Sequence, residues 1–160
     1  MNITVQRVQG ALLAHGVLGK IRTFAAPVPS AAAAAQELGC PIGAIANSLV
    51  FASNGAPVLV LTSGAHRVDL GVVAKHLGVG KKKVRRADPD LVLRTTGQGV
   101  GGVAPVGHPR RVLTLVDAAL AEFQTVWAGA GDEYSMFPTT CEELVRITGG
   151  TLLSVGSNEW

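Results

Sequence analysis

Cysteine and charge are scarce in this chain, and long apolar runs are missing altogether. Cys40 and Cys141 are its two thiols, and without a CxxC pairing they specify neither a disulfide framework nor a zinc site. With 16% charged residues against 48% hydrophobic, the composition excludes a disordered chain. No apolar stretch approaches the roughly 20 residues needed to cross a bilayer, so no membrane partner is expected. The opening MNITVQRVQG lacks the basic start and apolar segment of a secretory signal, which makes the cytoplasm the expected location.

The common catalytic signatures are absent too. There is no Walker A loop, no HExxH and no GxSxG, so those chemistries have no local marker. His15, His66, His76 and His108 are scattered without metal-ligand spacing, and neither a metal nor a cofactor is expected. Residues 97–102, GQGVGG, read as GxGxxG by letter. They follow a predicted helix rather than a strand, which is the wrong context for a dinucleotide.

What remains is a chain of 160 residues, enough for one domain over 1–160 with its own core. Its 20 glycines and 8 prolines mark many turns. Lys81, Lys82, Lys83, Arg85 and Arg86 put five positive charges in six positions. Such a run suits a phosphate backbone, or it is a solvated face.

Periodicity and punctuation give an element order. Val5, Val8 and Leu12 predict a helix over 2–15, followed by a short strand at 21–24. Ser30 as N-cap, five alanines and Gly39 bound a helix over 31–38. Strands at 46–52 and 57–62 flank Asn54-Gly55, a hairpin signal. Asp69 opens a helix ending at Gly78, and Asp88-Pro89 opens another ending at Gly97. The glycine-rich 97–107 reads as a loop with strand fragments. Strands at 112–116 and 124–127 enclose a short helix at 118–120. Thr140 and Glu143 form a capping box before a last helix that reaches Gly149, and the tail 155–160 is expected to fray.

Four segments taken in order, GCPIGAIANSLVF, LVLTSGAHRVDLGVVAKHLG, ADPDLVLRTTGQGVGGVAPVGHP and LTLVDAAL, resemble the YbaK and prolyl-tRNA editing domain family. The resemblance covers about 24–150. It implies an α/β (α+β) fold with a central, mostly antiparallel, barrel-like mixed sheet surrounded by helices. It also implies trans-acting hydrolysis of mischarged aminoacyl-tRNA, with the tRNA acceptor end as partner and an aminoacyl-tRNA synthetase as a second.

The family's GxxxP substrate loop matches Gly101-Gly102-Val103-Ala104-Pro105, where glycines let backbone approach a small ligand closely. Family members usually carry a lysine in a V-A-K-T-L-V segment, and the aligned IANSLV places Asn47 there. The exchange removes a cation and leaves a neutral amide. Hydrolysis by positioning alone is one consequence, because an aminoacyl ester is already activated and the terminal ribose hydroxyl is thought to assist in this family. A noncatalytic module that binds charged RNA is the alternative.

On the first reading Asn47 and Gly101 carry the chemistry. Ser48, Gly102, Ala104 and Pro105 contact the substrate, joined by His66, His108 and Asp117 from polar, turn-rich segments. Asp117 reads equally well as a helix N-cap. Lys81, Lys82, Lys83, Arg85 and Arg86 would meet RNA.

Overall fold

A computed structural model describes residues 2–157. In chain order it contains α1 (Ile3–Ala14), β1 (Arg22–Thr23), α2 (Ala31–Leu38), β2 (Ile45–Ser53), β3 (Ala56–Ser63), β4 (Arg67–Val68) and α3 (Leu70–Leu77). There follow β5 (Val84–Arg86), α4 (Pro89–Thr96), β6 (Leu113–Asp117), β7 (Val126–Gly129), β8 (Ser135–Thr139), α5 (Cys141–Thr148), β9 (Thr151–Leu153) and β10 (Gly156–Ser157).

The helices start and stop where local chemistry directs. The side chains of Asn2, Ser30, Asp69, Asp88 and Thr140 each accept a backbone N–H of the first turn, satisfying a donor the helix leaves open. Gly39, Gly78, Gly97 and Gly149 close α2 to α5 in the left-handed conformation. The capping box at α5 is half formed. Thr140 accepts from Glu143 N at 3.0 Å, but the Glu143 carboxylate takes the hydroxyl of Thr139 at 2.7 Å. Asn54 and Gly55, with φ of 50° and 82°, turn β2 into β3 as the Asn-Gly pair predicts.

The main sheet runs β1-β8-β7-β2-β3-β6-β9, with β5 also paired to β2. Four pairings are antiparallel and three parallel. The sheet is mixed and open, flanked by helices, with β1 and β9 at its edges. Side chains of β3 alternate between two cores, as a strand's period of two requires. Leu59 and Leu61 pack with Val8, Leu12, Phe137 and Leu144, whereas Val58 and Val60 pack with Phe51, Val73 and Leu115.

Several elements differ from the sequence expectation. β8 was not expected, because Pro138 interrupts its short stretch and proline reads against a strand. It is tolerated beside Trp127 of β7. β7 begins at Val126 rather than at 124. Part of the basic run is strand: Val84 is buried and β5 pairs with β2. Residues 97–107 form a loop without strand fragments. Val155 is fully buried and Gly156 pairs with Val68, so the tail is anchored at least that far, while 158–160 lie outside the described residues.

Candidate functional site

The site begins with a gap in the sheet. On one side β2 pairs with β3 along Ala46–Ser53, but on the other β7 covers only Ile45 and Ala46, and β5 only Phe51 to Ser53. Gly64 N donates to Ile45 O at 2.7 Å on the β3 side, and Ala87 N donates to Val50 O at 3.0 Å. Backbone polarity alternates along an antiparallel strand, so the N–H and C=O of Ser48 face away from β3 and into the gap.

A cavity of about 480 Å³ opens over this edge. Asn47, Ser48 and Leu49 line it from β2, Gly101, Gly102 and Val103 from the glycine-rich loop, and Ser30 and Ala31 from the start of α2. Asn47 and Gly101, far apart in sequence, therefore share one hollow. The Ser48 Oγ is buried and is the one such side-chain atom without a hydrogen-bond partner among the described residues. A buried hydroxyl left unpaired costs free energy unless a ligand or water completes it.

The loop is held from within by Gln98, which is 2% exposed. Its Nε2 donates to Val106 O at 3.1 Å, and its Oε1 accepts from Ala104 N at 2.6 Å. The Thr96 hydroxyl donates to the carbonyls of Val92 and Gln98 and accepts from Gln98 N, tying the loop to the end of α4. Gly102 packs so closely on the backbone of Asp132 that a Cβ there would overlap it. Gly101 has φ of +96°, and an added Cβ would sit 2.7 Å from Glu133 Oε1. Glycine is what this approach demands. Gln98 and Asp132 escaped the sequence analysis, since neither belongs to a recognisable motif.

The other expected site residues lie elsewhere. Ala104 is fully buried, and its carbonyl meets His108 Nε2 at 2.8 Å. Pro105 and His108 face a second hollow of about 430 Å³, shared with Arg110, Arg111 and Arg146. Burial pushes the His108 imidazole below its ordinary value despite the opposing bond to Ala104.

Asp117 is 1% exposed. One of its oxygens accepts from Ser63 N at 3.0 Å and from the Thr62 hydroxyl at 3.3 Å, and lies 3.0 Å from His66 Nδ1. The other accepts from Ala119 N, which is the N-cap contact. Neither His66 nor Asp117 lines the first cavity.

Of the basic run, Arg86 reaches that cavity, with its guanidinium carbon 5.7 Å from the Phe51 ring centroid. Lys81, Lys82, Lys83 and Arg85 are exposed beside it in sequence. Burial, and for Cys141 the Asp117 charge as well, pushes both thiols above their ordinary value, the opposite of an activated nucleophile. Among the described residues no group of three or more His, Cys, Asp and Glu could hold a metal, and no helix is long and apolar enough to cross a membrane.

An open mixed sheet with helices around it, and a cavity where a glycine-rich loop faces a strand margin, place the chain in the α/β class. The comparisons narrow the class. The model of the aminoacyl-tRNA editing domain matches residues 25–147, and the chain belongs to that family. It superposes on a candidate trans-editing enzyme for prolyl-tRNA synthetase with a TM-score of 0.91 and 34% identity, covering 98% of this chain and 99% of that one.

It is 32% identical to the uncharacterized protein YwhH of Bacillus subtilis over 116 residues, 72% of each chain. It is 27% identical to EbsC of Enterococcus faecalis, named as a candidate Cys-tRNA(Pro)/Cys-tRNA(Cys) deacylase, over 81% of this chain and 79% of that protein.

Proposed function

We propose that this protein hydrolyses mischarged aminoacyl-tRNA in trans, in the cytoplasm, by positioning the ester rather than by supplying a nucleophile. The observation that carries this reading is the one cavity lined by Asn47, by Ser48 with its unpartnered hydroxyl, and by the Gly101-Gly102 turn.

An acylated adenosine end entering this hollow meets donors on one wall and bare backbone on the other. Water, oriented with help from the terminal ribose hydroxyl, adds to the ester carbonyl carbon. The tetrahedral oxyanion is met by hydrogen-bond donors of Asn47 and Ser48. The carbon–oxygen ester bond then breaks, and the ribose oxygen leaves as a hydroxyl with the proton lost by water. Asn47 provides no charge where the family usually has lysine, so orientation and solvent exclusion bear more of the catalysis. That substitution also favours the second reading, a module that binds charged tRNA or assists a synthetase without turnover.

Incubating the protein with a panel of mischarged tRNAs and following amino-acid release separates the two. Release is expected for at least one member, falling roughly tenfold or more in Asn47→Ala and Ser48→Ala. Salt-dependent binding without release across the panel would establish the module instead. A large rate gain in Asn47→Lys would show that the natural chain lacks the family's usual chemistry.

A further inference from the structure

Two of the residues lining the first cavity carry a formal charge, and they approach it from different elements. Arg86 belongs to β5 and lies over Phe51. Asp132 stands in the connection between β7 and β8, against Gly102. Because the lysine position is occupied by Asn47, no lysine lines the cavity to neutralise that carboxylate. Among the described residues no cation pairs with it.

The Asp132 carboxylate accepts two exposed hydrogen bonds. Oδ1 accepts from Tyr134 N at 2.9 Å, and Oδ2 accepts from Asn2 Nδ2 at 2.7 Å. Each carboxylate oxygen has two lone pairs, so both retain capacity for another donor. A carboxylate with no cation paired to it among the described residues, on a residue lining a concave site, favours a small cationic group.

An aminoacyl ester offers one such group. Esterification removes the charge of the amino acid's own carboxylate, leaving the α-ammonium as the cation next to the reacting carbonyl. We propose that Asp132 receives this α-ammonium, and so restricts the cavity to esters whose amino group is free. N-acylated esters, including the end of a peptidyl-tRNA, lose the charge and add bulk, and are rejected. This rests on the editing reading above and adds to it the chemical state of the amino group.

The test uses stable 3′-amide analogues, 3′-aminoacylamino-3′-deoxyadenosines bearing alanyl, seryl and cysteinyl groups, each with and without N-acetylation. Binding to the full chain is followed by calorimetry near pH 6.5, where the amine is protonated. The free-amine analogue is expected to bind roughly tenfold more tightly than its acetylated partner, as for a charge-assisted hydrogen bond. The preference should vanish in Asp132→Asn and persist in Asp132→Glu. It should also fade in the wild type above about pH 9, where the amine is neutral, a readout that needs no variant.

Equal binding of both forms by the wild type, or a preference unchanged in Asp132→Asn, overturns the ammonium site and leaves the editing reading standing. Failure of the wild type to bind any analogue overturns both.

Discussion

Ser48 on β2 and His108 after the glycine-rich loop hold polar groups in opposite states. The Ser48 hydroxyl is buried without a partner, so its removal relieves an unmet hydrogen bond while taking a donor from the cavity. His108 is partnered: its Nε2 serves Ala104 O at 2.8 Å, and burial holds the ring neutral. Its pKa in the fold is below the ordinary value of 6.5, so on acidification the unfolded chain takes up the proton first. The stability this neutral ring contributes is complete above about pH 6.5 and is lost as the pH falls through the lowered folded value. The melting temperature should therefore drop as the pH falls below about 6.5, and His108→Gln, which keeps a donor for Ala104, should shallow that drop. A calorimetric pH series on both proteins checks it, an identical slope ruling out His108 as the source.

At the scale of elements, α4 and the glycine-rich loop act as one piece. Asp88 caps the helix, Pro89 occupies its first turn and Thr96 hands the chain to Gln98. Gln98 then substitutes for a strand partner, serving Val106 O and Ala104 N from inside the loop. Replacing it with leucine keeps the volume but strands one buried donor and one buried acceptor. The expected cost is at least about 2 kcal/mol in urea unfolding. Amide exchange should accelerate over 97–108 before it does elsewhere. On the proposed function, amino-acid release should fall further than stability alone dictates, because Gly101 to Val103 lose their fixed distance from β2. Exchange that accelerates uniformly would contradict this picture of the loop.

Over the whole molecule, charge and cavity are joined through β5. The strand carries Arg86 to the cavity rim, and the exposed Lys81–Lys83 turn precedes it, beside the β2–β3 hairpin where Asn54 N donates to Lys83 O; the turn is the basic surface that a bound tRNA backbone would meet. If it does, Lys82→Gln with Lys83→Gln should weaken tRNA binding at low salt. The slope of log affinity against log salt should shrink by roughly one to two. Filter binding across a salt series measures this, and an unchanged slope assigns the lysines to a solvated face. Arg110, Arg111 and Arg146 stand apart around the second hollow, where Arg146 donates to His15 O at 2.7 Å. There a guanidinium satisfies the carbonyl that follows α1.

The boundaries of the helices and the β2–β3 hairpin were written in the sequence, because caps, left-handed glycines and Asn-Gly turns act within a few residues of themselves. The ordered segments from Gly39 to Leu120 carried the family for the same reason, each being a contiguous string. What only the tertiary structure decided was adjacency. Nothing local predicts that β7 and β5 leave the middle of β2 uncovered on the side away from β3, and so open a cavity where the N–H and C=O of Ser48 meet no strand. Nor does any spacing announce that Asp132 shares that cavity with Asn47, or that His66 and Asp117 pair outside it. Short-range chemistry fixes where an element begins and ends. Which elements meet is set by burying apolar faces from every part of the chain at once, and the site is formed where that packing leaves a strand edge open.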